Sequence, residues 1–525
     1  MSDVAPITAP AARRRWLAKA GAVVSLAACP FRIRAAAAQS TLSALARVSL
    51  VIGNARYAAA PLESPGNDAK AMANGLRKLG FQVNLKLDAG RNEMLEAIRG
   101  FGSELARRAS VGLFYYAGHG AQLAWRNYLI PVDVEFGQLE DMRTRAVPLT
   151  ALLEELRNAQ NPMNVIILDA CHDNPFGNKV RTVQKGLSQV DAPPGSLLAY
   201  ATSPGNTVAE GAGATGLYTG NLVRELQVPE ERIEDVFKRV RLNVRLKSGG
   251  RQVPWESTSL EADFYFLPPR DAKTLSEDER AKQFDEELAI WEQIKEARQP
   301  APLEDYLRKY PSGRFSELAQ FQLDRVLARQ GEKKIEAVYV PANPFSKGTA
   351  RASTDYKLGD RYTYRYLNLY TRLETTRRTD VVTAISESEV VFNNGVFVID
   401  LLGNTIKQAD GYRFIGLQNY ANDYSLGKKW ITRYISVAPD AQRYQIEQEF
   451  KVVTRESVTV PAGTFDAFKV EHQGRSSGGV YFQGAYWLAP DRSRRSVARE
   501  QLRIAGSGNT LTAVRAELVS FRQSG

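Results

Sequence analysis

The sequence predicts an α/β domain first and a β-rich domain last, joined by a short helical connector. Three observations carry this. Short, near-continuous apolar runs alternate with amphipathic stretches from Arg47 to Pro268, the pattern of a mostly parallel sheet covered by helices on both faces. From about residue 272 to 335 the chain turns charged and helical. From about 349 to 525, apolar and polar residues alternate between turn signals, as in a curved antiparallel sheet or small barrel. A chain of 525 residues is too long for one ordinary core, which agrees with several domains.

Taken in order, residues 1–40 read as a targeting segment. Arg13-Arg14-Arg15-Trp16-Leu17 precedes an apolar stretch from Ala20 to Ala28. That stretch falls short of the roughly 20 apolar residues a bilayer span needs. It suits the hydrophobic region of an export signal of the twin-arginine kind. Two processing routes fit. Ala36-Ala37-Ala38 before Gln39 offers small residues to a signal peptidase, whereas Leu26-Ala27-Ala28-Cys29 resembles a lipoprotein box that would leave Cys29 lipidated. Either route exports the protein, with the bacterial periplasm as the expected location. No later segment is apolar enough to cross a membrane as a helix.

In the α/β part, residues 48–53 read as a buried strand ending in glycine. Residues 67–79 are helical and Gly80 caps them. Residues 81–87 are strand-like. Met94, Ile98, Phe101 and Leu105 follow at 4-3-4 spacing, one apolar helix face. Residues 111–116, 165–168 and 196–201 are further buried strands. In the connector, 272–335, Trp291, Ile294, Tyr306, Leu307 and Leu318 form the apolar side of one or two helical hairpins, with a turn at Tyr310-Pro311-Ser312-Gly313. In the last part Tyr362, Tyr364 and Tyr366 alternate, and Asn394-Gly395 suits a type I′ hairpin turn. Residues 458–465 form a second hairpin, and Tyr486-Trp487 ends a strand. His472 stands alone there and reads as structural.

The net charge of +11 is spread along the chain. Without a long basic block interleaved with aromatics, nucleic-acid binding is not expected. Scarcity is more telling: the chain has three histidines and two cysteines. His119, in Tyr115-Tyr116-Ala117-Gly118-His119-Gly120, and Cys171, in Leu168-Asp169-Ala170-Cys171-His172-Asp173, each follow a strand-like run. Ligands of open parallel sheets bind beyond such carboxyl ends. With Cys29 in the signal, a mature chain has no second cysteine for an internal disulfide or for a redox pair. Cys171 is then a small core residue or a nucleophile. The thiolate is the nucleophilic form, and a neighbouring imidazole can take the thiol proton and later protonate a leaving amine. Glycines on both sides of His119 permit tight turns and close approach of a substrate backbone. The backbone N–H groups of Gly120 and Cys171 can serve a tetrahedral oxyanion. The plainer alternative has His119 capping a loop and Cys171 filling a core.

Several motifs in order resemble the caspase-like cysteine peptidases, in the bacterial branch related to metacaspases and paracaspases. They are Val51-Ile52-Gly53-Asn54, Asn67-Asp68-Ala69, Tyr116-Ala117-Gly118-His119-Gly120, Asn127-Tyr128-Leu129-Ile130-Pro131-Val132-Asp133, Asp169-Ala170-Cys171 and Val253-Pro254-Trp255-Glu256-Ser257. The gap of about 50 residues from histidine to cysteine is that of the family. The resemblance covers residues 47–268 and implies a three-layer α/β/α sandwich around a six-stranded, mostly parallel sheet. It implies Cys171 as nucleophile and His119 as general acid–base. Asp169 stands where aspartate-cleaving caspases carry glutamine. With Asp68 it implies an S1 pocket for a basic P1 side chain, since carboxylates pair well with a guanidinium fork.

Ala117 replaces the serine common in metacaspases, and His172 is expected to be structural. Calcium activates some relatives; no ligands for it are identifiable here, and no cofactor is expected. The expected partners are protein or peptide substrates with a basic P1 residue. A basic stretch, 178–194, with Lys179, Arg181 and Lys185, reads as an exposed loop open to self-cleavage. The rival reading is a non-catalytic caspase-like scaffold that acts through its β-rich domain.

Overall fold

Apolar residues on both faces of consecutive strands fix the first domain. The computed structural model describes residues 42, 44–170, 185–206, 215–269, 276–332 and 342–524. Cys29, Ala38, Cys171 and His172 lie outside the described residues. Strand β1 (Ala46–Gly53) leads through helix α1 (Pro65–Lys78) to β2 (Gln82–Leu87), then through α2 (Arg91–Arg107) to β3 (Ser110–Ala117). A hairpin of β4 (Gly120–Leu123) and β5 (Arg126–Leu129) follows, extended by the short β6 (Val147–Pro148). Helix α3 (Leu149–Ala159), β7 (Met163–Asp169), β8 (Ser196–Tyr200), α4 (Leu217–Glu225), α5 (Ile233–Lys247) and β9 (Trp255–Thr258) complete the domain.

The main sheet has the order β2-β1-β3-β7-β8-β9, all parallel except β9. Each strand alternates its side chains between two cores. Val51, Leu113, Tyr115, Val165, Ile167 and Leu197 face α1, α4 and α5. Leu50, Ile52, Phe114, Ile166, Leu168 and Leu198 face α2 and α3, with Met94, Ile98, Phe101 and Leu105 completing that layer. Each such aliphatic side chain contributes about 1.5–3 kcal/mol on burial. The expected three-layer sandwich with a mostly parallel six-stranded sheet is what the chain forms.

Helix α1 begins two residues earlier than the sequence suggests, because Pro65 is preset for a first helical turn. It also crosses the end of β1 closely. A Cβ on Gly53 would stand 2.5 Å from Ala69 Cβ and 2.6 Å from the Pro65 carbonyl oxygen.

The connector holds α6 (Glu277–Ile294), α7 (Pro300–Lys309) and α8 (Ser316–Arg329). Trp291 stacks on Phe315 at 5.4 Å, and Leu242 of α5 joins their core. Asp324 accepts from Arg245 of α5 at 2.5 Å and from Arg351, just before the β-rich domain, at 2.7 Å. Lys428 adds a second link, to Glu317 at 3.2 Å.

The last domain is a closed antiparallel barrel of twelve strands, from Arg361–Asn368 to Thr510–Arg522. It closes where Tyr364 pairs with Leu518. The 458–465 hairpin forms with Val460 opposite Gly463. At the other expected turn, Phe392 pairs with Phe397, so the loop has four residues and not two. Asn393, Asn394 and Gly395 all take positive φ there, so a run of three replaces the I′ pair. Among the described residues, no helix is long and apolar enough to cross a membrane.

Candidate active site

Sheet register brings the two sequence motifs together. In the parallel pair β3–β7, Ala117 lies opposite Asp169. His119 is two residues beyond one, and Cys171 is two residues beyond the other. The Gly118 amide donates to the Asp169 carbonyl at 3.3 Å. A Cβ on Gly120 would stand 2.6 Å from the Ala170 carbonyl oxygen and 3.0 Å from Ala170 Cβ. The residue after the histidine therefore touches the residue before the cysteine. Beyond β1, the strand order reverses around β1 and β3, which opens a crevice at the carboxyl ends where His119 sits.

His119 is buried and held from several sides. Its Nε2 lies 2.7 Å from the Ala60 carbonyl. Its ring lies 4.5 Å from that of Tyr57, whose hydroxyl accepts the His119 amide proton at 3.0 Å. The Tyr116 hydroxyl donates to the His119 carbonyl at 2.8 Å. Gly118, at φ +151°, has no room for a side chain: a Cβ would stand 2.6 Å from the Tyr57 hydroxyl. The Ile130 amide also donates to the His119 carbonyl. Antiparallel pairing alternates, so Gly120, opposite Leu129, falls at a non-hydrogen-bonded position with its N–H turned away from β5.

The chain downstream of Cys171 returns to the same hairpin. Gln122 Nε2 donates to the Lys185 carbonyl at 3.0 Å. Asn127 pairs with the Ser188 backbone twice, donating at 2.8 Å and accepting at 2.7 Å. Leu187 is fully buried in the α2–α3 core. This corrects the reading of 178–194 as an exposed loop. Lys185 is exposed, residues 186–189 are buried, and Lys179 and Arg181 lie outside the described residues. Segment 343–349 covers the same stretch. Ser346 and the Lys347 amide donate to Asp191 at 2.8 and 2.7 Å, and Asn343 donates to the Gln189 carbonyl at 2.8 Å.

Asp169, at the end of β7, and Asp68, in the first turn of α1, lie on the side of the sheet that α1 and α4 cover. Thr219 of α4 donates to Asp169 at 2.8 Å, and its oxygen lies 2.6 Å from the Tyr115 hydroxyl. The Gly216 amide donates to Asp68 at 2.7 Å. Burial pushes the Asp169 carboxyl up to about 7; the Asp68 charge adds to this and the Thr219 hydroxyl opposes it. Burial likewise raises Asp68 to about 6, against the Gly216 N–H and Ser64. Among the described residues, neither carboxylate has a cation in ion-pair range. Nor does any group of three or more His, Cys, Asp and Glu side chains there suit a metal ion.

Sequence reasoning missed Thr219, Gly216 and Tyr57. Thr219 carries no local signal, since only helix packing brings it under Asp169. Asn54 and Asp133, quoted as motif residues, turn out to be pins. Asn54 donates to the Ala89 and Ile130 carbonyls at 3.2 and 3.1 Å, and Asp133 accepts the Arg91 amide at the start of α2 at 2.9 Å.

Residues 46–265 match the family model of the caspase domain. Human mucosa-associated lymphoid tissue lymphoma translocation protein 1 is 32% identical over 126 residues, 24% of this chain and 15% of that protein. Its mouse homolog matches to the same extent. The chain thus spans 15% of the length of these relatives.

Proposed function

We propose that the caspase domain of residues 46–265 works as a cysteine endopeptidase that cuts after arginine or lysine, in a protein exported to the bacterial periplasm. One observation carries the specificity: Asp68 and Asp169 are neighbouring carboxylates, raised by burial, with no cation beside them among the described residues. A basic P1 side chain supplies the missing charge and forms charge-assisted bonds with both. An acidic P1 residue would meet like charge.

In this reading His119 takes the Cys171 proton, and the thiolate sulfur attacks the scissile carbonyl carbon. The carbonyl electron pair moves to oxygen, which the N–H groups of Gly120 and Cys171 receive. The carbon–nitrogen bond then breaks, and His119 returns its proton to the leaving amine. Water, deprotonated by His119, attacks the thioester, releases the acid and restores the thiol. The fixed ring of His119 and the turned-out N–H of Gly120 support these roles.

Fluorogenic peptides that differ only at P1, assayed with wild type and Cys171→Ala, test the proposal. Cleavage after Arg and Lys, lost in the variant, is expected. Activity that survives Cys171→Ala would refute the mechanism, and preference for P1 Asp would refute the pocket. Mass spectrometry of the mature amino terminus distinguishes cleavage after Ala38 from lipidation at Cys29.

A further inference from the structure

The barrel interior carries positive charge that the chain leaves uncompensated. Strand register assigns the inward face. Arg499 lies between Tyr486 and Ala516, Gln501 beside Gly484, and Arg503 beside Phe482. Cations at one end of the barrel are neutralised: Arg494 pairs with Asp360 at 2.9 Å, and Arg378 and Arg495 pair with Asp380 at 2.8 and 3.4 Å. Among the described residues, Arg499 and Arg503 form no ion pair. Arg499 has only aromatic company. It donates to the Tyr366 hydroxyl at 3.2 Å, lies 5.9 and 5.8 Å from the rings of Tyr364 and Tyr366, and faces Tyr420 and Tyr486. Arg503 lies 5.5 Å from the Phe482 ring.

A half-buried guanidinium held among aromatic rings without a counter-ion favours an anion. Polar atoms nearby also lack partners. His472 is 6% exposed, and its Nε2 has no hydrogen bond. That ring stacks between Phe450 and Tyr486, each 5.2 Å away, and its Nδ1 lies 3.3 Å from Gln448. Asn419 donates to the Tyr486 hydroxyl at 3.1 Å while its Oδ1 is buried without a partner. Arg499, Gln501 and Arg503 are only half-buried, so solvent reaches this end of the lumen. Eight strands already enclose enough room for side chains or one small ligand, and this ring has twelve. Around Arg503, the apolar residues Phe414, Tyr434, Ile446 and Phe482 pack together.

We propose that the barrel lumen binds an amphipathic monocarboxylate, its carboxylate on Arg499 and its apolar chain along Phe414, Tyr434, Ile446 and Phe482. Arg503 keeps the mouth positive and draws the anion in. The shared chemistry is a carboxylate ending an apolar chain, which a fatty acid and an apolar peptide carboxyl terminus both offer.

The test titrates the full chain with dansylaminoundecanoic acid and with its neutral amide. Saturable fluorescence enhancement by the acid is expected, with weak or no response to the amide. Arg499→Met should weaken acid binding about tenfold or more, the scale of one charge-assisted pair, while Arg499→Lys keeps most of it. Should Arg499→Met fail to fold, Arg503→Met and the acid–amide comparison on wild type decide the matter. Dodecanoate and a short apolar peptide with a free carboxyl terminus then compete with the probe. Displacement by one of them supports the site and identifies the source. No saturable binding, equal affinity for acid and amide, wild-type affinity in a folded Arg499→Met, or displacement by neither competitor overturns the proposal.

Discussion

Asp169 and Asp68 resist ionisation where they sit, because burial favours the neutral form of each and the Asp68 charge adds to this at Asp169. A bound guanidinium reverses that preference. KM for a P1-arginine peptide should therefore fall as pH rises through about 6 to 7, while a P1-citrulline peptide shows no such trend. Without substrate the sign is opposite. The native chain holds more protons than the unfolded chain between about pH 4 and 7, so these two groups make stability fall as pH rises through that window. Asp169→Asn should lower kcat/KM for P1 Arg by about 10–100-fold, the loss of one charge-assisted bond, with little change for P1 citrulline. At this scale the histidine motif and the acid two places before the cysteine were legible, and the register of β3 on β7 sets them side by side, while Cys171 itself lies outside the described residues. Thr219 was not legible, because its role depends on α4 packing and not on its neighbours in sequence.

Single positions matter through the elements they hold. The turn from β3 into β4 and the end of β7 touch at Gly120 and Ala170. Gly120→Ala would push Cβ into the Ala170 carbonyl, so kcat should drop sharply while P1 preference is kept; a P1 peptide panel measures both. Asn127→Ala removes both bonds to Ser188, leaving its N–H unpaired and its carbonyl with the longer bond from the Tyr200 hydroxyl at 3.3 Å. A loss of about 1–3 kcal/mol is expected in denaturant titration, with kcat falling more than KM rises. Apolar periodicity made the strands and α2 readable. Turn geometry was harder: Asn394-Gly395 suggested a two-residue loop, but pairing of Phe392 with Phe397 leaves four residues to span. Likewise the basic residues of 178–194 suggested exposure, while Leu187 filling the core and Asn127 fastening Ser188 draw the second half inward.

Across the whole molecule, Asp324 ties α5, the connector and the approach to the barrel into one ion network. Asp324→Asn removes the buried charge that Arg245 and Arg351 share, leaving Arg245 with Glu332 alone among the ion pairs described. Breaking a buried pair in this way costs about 3–5 kcal/mol. Calorimetry should show a lower first transition, separating barrel unfolding from that of the first domain. The sequence marked 272–335 as a helical connector without showing what anchors it. Its anchoring depends on partners such as Arg245 and Lys428, which lie far away along the chain. Closure of the barrel was equally hidden, because alternating strands do not say whether the first meets the last.

That closure also sets an order of events during synthesis. The strand Arg361–Asn368 must wait for Thr510–Arg522, the last of the barrel's strands to be made, before its outer edge is covered. The first domain can fold while the barrel is still an open, growing sheet with two bare edges. A chain ending at Asn509 would keep those edges for good, and an exposed edge pairs readily with another copy. Light scattering of such a truncated chain should reveal aggregation that the chain with all twelve strands escapes, so the thirteen-residue closing strand is what makes newly made protein safe from its own neighbours.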